Sequence, residues 1–156
     1  QGLILTGQGL EIYVADSKIK ILHQVEARKN VEGKKFKLNS DSSIFSNKDR
    51  EASFSGDVKL LYDSMILKAP FAEFKYSKAK DVLEILRVFD QVEMIDANKT
   101  GTCSELIVNI LQDTMTMNGH PKVRMGTDEI QGDQIVFSEK GKKVKITQMK
   151  LERKSK

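Results

Sequence analysis

The sequence is poor in several residue types on which particular kinds of site depend. Its 156 residues include one cysteine, two prolines, two histidines and no tryptophan. The single thiol, Cys103, excludes an internal disulfide and any metal site built from several cysteines, and we expect it to lie half-buried in a strand. Because proline is scarce and no low-complexity tract is present, the length predicts one domain with its own core.

Motifs that signal catalysis are also missing. His23 and His120 lie far apart in the sequence, and a lone histidine at a strand end is more often a surface residue than a general base. There is no Gly-x-Ser-x-Gly nucleophile elbow and no glycine-rich loop of the kind that cradles phosphate. We therefore expect no enzyme activity, no cofactor and no metal.

Long apolar runs are absent, so no segment is predicted to span a bilayer, and no signal peptide is recognisable. The 26 basic and 22 acidic residues give a net charge of +4, with much of the excess between Lys140 and Lys156. This segment lacks the interleaved aromatic residues of a single-strand binder, so we expect no nucleic-acid partner. It suits a solvated face, a charged edge strand or attraction to phosphorylated lipid.

What the chain does contain is a repeat. A small residue followed by an acid, with an apolar residue about three positions later, occurs four times at steps of 32, 32 and 28 residues. The acids are Asp41, Glu73, Glu105 and Asp133. A second pattern, a valine between charged or polar residues, recurs at steps of 33, 34 and 31 residues. Its valines are Val25, Val58, Val92 and Val123. Self-similarity at such a period indicates a stacked or rolled repeat architecture.

Alternation of apolar and polar residues predicts strands along the whole chain, separated by turn signals such as that at 98–101. Only the stretch 79–89 could instead form a helix, and its β-branched residues favour a strand. The sequence thus predicts an all-β fold of antiparallel strands, two or more per repeat. We expect a single domain over 1–146, with 1–35 as an atypical capping repeat and 147–156 as a basic tail.

The charges indicate which strand face is buried. If the repeated acids point outward, their neighbours point inward and form an aliphatic, methionine-rich surface with almost no charge. One interpretation is a core filled by its own side chains, in a module whose edges bind partners. The other is an apolar groove for lipid chains. The inward residues predicted to line that groove are Leu38, Ile44, Phe54, Val58, Leu60, Phe74, Tyr76, Val92, Met94, Leu106, Val108, Met115, Met117, Val123 and Met125.

A family resemblance rests on two stretches. Residues 41–60 read DSSIFSNKDREASFSGDVKL, in which a small-acid-x-x-apolar strand leads through a polar turn to a strand ending in Gly-Asp-Val. Residues 132–144, GDQIVFSEKGKKV, repeat the first half of this unit. In the order and spacing of such motifs, the region from about 36 to 146 resembles the OstA-like family of lipopolysaccharide transport proteins. The sequence departs from that pattern at Asp90, where the glycine is missing, and after Gly119, where the gap before the next valine is longer.

The resemblance implies an open, twisted antiparallel β-jellyroll whose two sheets splay into a V, located in the periplasm. It implies lipopolysaccharide as the ligand, with the lipid A acyl chains shielded by the inner face. It further implies LptC-like and LptD-like jellyroll domains as partners through edge-strand pairing, and a head-to-tail homo-oligomer. The lack of a transmembrane segment favours the role of a soluble bridge between the membranes over that of an LptC-like protein. The alternative from the residues alone is a structural β-repeat module.

Overall fold

A computed structural model of the protein describes residues 4–31, 33–79, 82–148 and 150–153. Within these residues the chain forms antiparallel strands and no helix. The strands are β1 (Ile4–Tyr13), β2 (Lys18–Val31), β3 (Lys34–Ser40), β4 (Ser42–Ser46), β5 (Glu51–Tyr62), β6 (Met65–Tyr76), β7 (Leu83–Asp96), β8 (Lys99–Asn109), β9 (Thr114–Asn118), β10 (Lys122–Met125), β11 (Asp128–Gln131), β12 (Gln134–Ser138), β13 (Lys143–Thr147) and β14 (Lys150–Arg153). The predicted all-β antiparallel fold is confirmed, and so is the choice of a strand rather than a helix for β7.

The long strands bend at a corner near their middle. The pairing of β5 with β6 is interrupted between Ser55 and Val58, and β7 is interrupted in the same way after Phe89. Gly56 lies at the first interruption with φ of +86°, and Asp90 lies at the second with φ of +71°. Extra residues of this kind bend and twist a strand, so that its two halves can enter different layers of the fold.

Two layers of half-strands therefore meet at the corner. The first layer contains residues 8–13, 18–21, 42–46, 51–55, 71–76, 83–89, 105–109, 114–118, 134–138 and 143–147. The second layer contains residues 4–6, 25–31, 34–40, 58–62, 65–69, 92–96, 99–103, 122–125, 128–131 and 150–153. The predicted basic tail thus includes β14, which pairs with β11.

The centre of the space between the layers is filled by side chains of the protein. Phe36 of the second layer meets Phe74 of the first edge-on, with ring centres 5.0 Å apart. Gly101 leaves just enough room for the ends of Met94 and Met117, each 3.1 Å from the place where a Cβ would stand. Since burying a side chain such as phenylalanine contributes about 1.5–3 kcal/mol, these contacts hold the layers together.

The repeated valines occupy equivalent places just beyond the corner. All four are at least 98 % buried, and three directly follow a residue with positive φ, namely Gln24, Asp57 and Gln91. In the fourth repeat, His120 takes the left-handed position and two further residues precede the valine. The valine pattern that repeats in the sequence therefore marks the places where successive strands pass the corner.

The prediction that Ile44 faces inward is wrong. Ile44 is 42 % exposed, and its cross-strand partner Ser53 is also exposed, whereas Ser43 beside it is buried. The cause is a bend at Asp41, whose N–H donates to the carbonyl oxygen of Gly56 at 3.0 Å. This bend adds a residue between β3 and β4 and shifts the alternation of the following strand by one position.

Candidate functional site

Fourteen of the predicted inner residues lie on the inner faces, and Ile44 does not. Twelve of them are buried: Leu38, Phe54, Val58, Leu60, Phe74, Tyr76, Val92, Met94, Leu106, Val108, Met117 and Val123. The remaining two, Met115 and Met125, are partly buried and pack against this core. Their role in binding lipid stays a prediction.

The apolar lining continues past the packed centre to both ends of the roll. At the N-terminal end, Leu10 and Ile12 pair with Ile21 and Ile19 and share their inward face, yet both are 61 % exposed. At the C-terminal end, Val144 shares the inward face with its partner Phe137 and is 38 % exposed. The interior is thus filled in the middle and uncovered at its two ends.

The side of the roll opposite the corner is a seam, where hairpin turns of the two layers face each other. A groove of about 430 Å³ opens there, between the turns around residues 63–64 and 97–98 of the second layer and those at 110–113 and 139–142 of the first. Apolar side chains of both layers line its depth. They are Met65, Val108, Ile110, Met115 and Phe137.

Three lysines, Lys29, Lys34 and Lys99, stand on the inner face of the second layer at this seam, and we call them the seam lysines. Lys29 and Lys99 each reach across to the first layer, with Nζ 5.2 Å from the ring centres of Tyr76 and Phe137 respectively. Lys34 Nζ lies 5.4 Å from the ring centre of Tyr62 in its own layer. Lysine stems therefore run along the apolar interior while their ammonium groups reach its rim.

Lys99 also has a carboxylate partner. Its Nζ lies 3.7 Å from Asp96 Oδ2, and the other oxygen of Asp96 accepts hydrogen bonds from Ser64 Oγ at 2.9 Å and the N–H of Ala97 at 2.8 Å. Lys99 Nζ comes within 3.8 Å of the Cβ position of Gly141, in a turn of the first layer. This contact closes the seam near the C-terminal end.

The outer face of the first layer carries a network of charged side chains. Arg87 Nε donates to Glu105 Oε2 at 2.6 Å, and its NH1 donates to Glu73 Oε2 at 3.1 Å. Asn118 Nδ2 donates to the other oxygen of Glu105 at 3.0 Å. Burial alone would raise the pKa of Glu105, but the hydrogen bonds from Arg87 and Asn118 outweigh burial and lower that pKa below its usual value. The network joins neighbouring strands, and each of its charged side chains is paired within it.

A second groove of about 690 Å³ lies at the corner, where Cys103 and His120 are among its lining residues. Burial raises the pKa of the Cys103 thiol to about 12, so this thiol is not a nucleophile near neutral pH. Across the described residues, no group of three or more His, Cys, Asp or Glu side chains is arranged to hold a metal ion. In that same part of the chain, no helix is able to span a membrane.

The fold and this site define an open β-jellyroll with an apolar interior that reaches the surface at a seam and at both ends. A family model described as "LptA/(LptD N-terminal domain) LPS transport protein" matches residues 37–143, more than half of the chain. The chain belongs to this family, as the motifs of its sequence predicted.

A solved structure gives the same fold. The crystal structure of LptH, the LptA-homologous periplasmic component of the lipopolysaccharide transport device from Pseudomonas aeruginosa, superposes with a TM-score of 0.70 at 14 % identity. The alignment covers 81 % of this chain and 100 % of that one. At this identity the likeness is evidence for the fold alone. No curated protein matches the chain in sequence.

Two features of the site escaped sequence reasoning. The seam lysines look like ordinary solvated charges in the sequence, although Lys29 is in phase with the inward residues Val25 and Ala27, and this phase was a usable signal. The exposed apolar pair Leu10 and Ile12 was hidden because the N-terminal residues match the repeat only loosely.

Proposed function

We propose that this lipopolysaccharide transport protein acts in the periplasm as a bridge between the inner and outer membranes and holds lipid A acyl chains in the interior of its roll. The observation that carries the proposal is the continuity of the apolar inner face with the exposed positions Leu10, Ile12 and Val144 at the two ends. A packed module would cover such residues, whereas a conduit leaves them open for the next unit or for the ligand.

Burial of acyl chains supplies the driving force for binding. Each methylene moved from water into the interior contributes about 0.8 kcal/mol, so a few chains outweigh any surface ion pair. Because the centre is already filled, the chains enter by parting the two layers at the seam, beside Met65 and Met115. Methionine suits this position, since its flexible thioether adapts to whatever packs against it.

The two ends of the roll fit each other. Rows of cross-strand partners run through the first layer from β1 to β13, and one inward row begins at Ile12 and ends at Val144. The neighbouring inward row begins at Leu10 and ends at Ile146. If the C-terminal edge of one copy pairs with β1 of the next in the same register, apolar residues meet apolar residues and the interior is continuous.

In the same register, the row of outward-facing residues would bring opposite charges together at the junction between two copies. It begins at Glu11 and ends at Lys145, so the two meet at the junction between copies. Unpaired strand edges recruit further strands, and a head-to-tail junction does not close on itself. The chain thus forms filaments with itself, and the same edges join LptC-like and LptD-like jellyroll domains by strand pairing.

Site-specific photocrosslinking to purified lipopolysaccharide tests this function. Inward probes replace Ile12 and Met115, and matched probes replace the adjacent residues Glu11 and Thr116, whose side chains point outward from the same strands. We expect crosslinks from the inward probes only. Equal crosslinking on both faces, or none at any position, would favour the alternative of a packed scaffold that acts through its edges.

A further inference from the structure

We infer that the seam lysines Lys29, Lys34 and Lys99 bind phosphate groups on the headgroup of the amphiphile that the roll carries. This inference rests on the proposed function and extends it, because it names the residues that recognise the polar end of the ligand. It also names the chemistry they recognise, an anionic phosphate ester attached to acyl chains.

The backbone register sets the lysines apart from the other basic residues. Lys29 lies opposite the buried Phe36, so its side chain projects from the inner face of the layer and not from the outer face. Lys99 lies on the same inner face as Gly101 and Cys103, both buried. Most other lysines of the described residues occupy outward or turn positions, away from the apolar interior. An inward lysine at the mouth of an apolar space places its ammonium group where the polar end of a bound amphiphile would lie.

The ammonium groups of Lys29 and Lys34 have N–H donors available for a ligand. Among the described residues, Lys29 and Lys34 make no ion pair, and their nearest interactions are the faces of the Tyr76 and Tyr62 rings. An aromatic face attracts the positive charge but accepts no strong hydrogen bond, and an ammonium has three donors. Phosphate oxygens are acceptors of matching charge, and hydrogen bonds between ionised groups are stronger than those between neutral ones.

While the seam is closed, the ammonium group of Lys99 is paired with Asp96, and a bound phosphate would have to replace this carboxylate. Asp96 holds its ammonium at 3.7 Å while Phe137 lies beneath it. Parting of the layers separates Lys99 from Phe137, and an incoming phosphate then competes with Asp96 for the ammonium. Asp63 and Asp113 also line the groove, and Asp113 already accepts the N–H of Lys140 at 3.0 Å. In the closed seam Asp96 balances the charge of Lys99. The negative charges of Asp63, Asp96 and Asp113 oppose the binding of small anions that carry no acyl chains.

Equilibrium binding of two matched amphiphiles tests the inference. The probes are lipid A with its phosphates and the same lipid A after enzymatic dephosphorylation, titrated against the wild-type chain and the K29Q/K34Q/K99Q variant. We expect the variant to bind phosphorylated lipid A about tenfold or more weakly, the usual effect of losing hydrogen bonds between charged groups. Binding of the dephosphorylated lipid should change little.

The control variant, K48Q/K59Q/K68Q, removes the same charge from exposed positions outside the seam. We expect it to bind both lipids as the wild type does. If both triple variants weaken binding equally, the effect is one of net charge and the inference fails. It also fails if the wild type does not distinguish the two lipids. If the wild type binds neither lipid, the proposed function itself is wrong, which is a different result.

Two further measurements guard against a folding defect and a different ligand. The D96N variant removes the carboxylate partner of Lys99 and keeps the lysine. We therefore expect this variant to bind phosphorylated lipid A more tightly than the wild type does. Unchanged or weaker binding contradicts the inference. Inorganic phosphate is added as a competitor. We expect no competition at millimolar concentration, and lysine-dependent binding of phosphate alone would identify a free-phosphate site instead.

Discussion

Gly56 lies against the side chain of Asp41, which occupies the bend between β3 and β4 at the corner of the roll. A Cβ at position 56 would overlap the Asp41 carboxyl group, and Gly56 also has φ of +86°. This contact allows β3 and β4 to bend around the long strand β5, since the N–H of Asp41 donates to the Gly56 carbonyl oxygen. One glycine thus provides both the backbone conformation and the space that the corner requires.

We predict that Gly56→Ala lowers the free energy of unfolding by about 2–4 kcal/mol, the sum of left-handed strain and the clash with Asp41. Gly33→Ala is the matched control, because Gly33 has φ of +79° with no atom within 4 Å of its Cβ position. It should cost only the strain, about 1–2 kcal/mol. Urea denaturation measures both, and equal losses would show that Asp41 does not restrict the corner.

The corresponding corner of β7 carries Asp90 instead of glycine, with φ of +71°. We predict that Asp90→Gly raises the free energy of unfolding by about 0.5 kcal/mol, because relief from left-handed strain exceeds the extra entropy of the unfolded chain. Asp90→Ala should be destabilising, since alanine lacks the short polar side chain that makes this conformation tolerable. The midpoints of urea denaturation rank the three chains, and an order other than Gly, Asp, Ala would contradict the prediction.

The ion pairs of Arg87 make stability depend on pH. The pKa of Glu105 is lower in the folded chain than in the unfolded chain, so its contribution is present above the unfolded pKa of about 4.3 and is lost as the pH falls through the folded pKa. We predict that Glu105→Gln costs about 1 kcal/mol at neutral pH and less near pH 3.

Glu51→Gln is the control for that experiment. Glu51 pairs with Lys75 at 3.5 Å, but both side chains are about half exposed, so its loss should change stability little at any pH. Urea denaturation across the acid range separates the two variants. A cost for Glu105→Gln that does not shrink with acidification would mean that packing, not charge, is responsible.

A charge-swap experiment tests the proposed junction, in which Glu11 of one copy meets Lys145 of the next. Glu11→Lys and Lys145→Glu should each weaken self-association, because each places like charges opposite one another at the proposed junction. The double variant restores opposite charges and should recover association. Sedimentation velocity over a range of concentrations measures the effect. Failure of the double variant to recover would reject this register of the junction, while leaving the lipid site untouched.

The sequence predicted the architecture well, because that architecture repeats. The spacing of Val58 and Val92 marked successive corners, and the alternation around Phe74 assigned its strand to the correct face. Ile44 was misplaced because a bend of one residue at Asp41 is invisible to a period of two. The seam lysines were missed because a charge at a strand end is ordinarily solvated, and only the pairing of distant strands brings Lys99 over Phe137.

The number of strand segments in each layer has a consequence for how the fold can change in length. In the described residues each layer contains ten segments in antiparallel order, an even number, so the last segment runs opposite to the first. Another copy placed after it continues the alternation without a parallel pair. Duplication or loss of a whole hairpin preserves this parity, whereas gain or loss of one strand reverses it. The roll can therefore be lengthened or shortened two strands at a time and still extend its sheet into a neighbour.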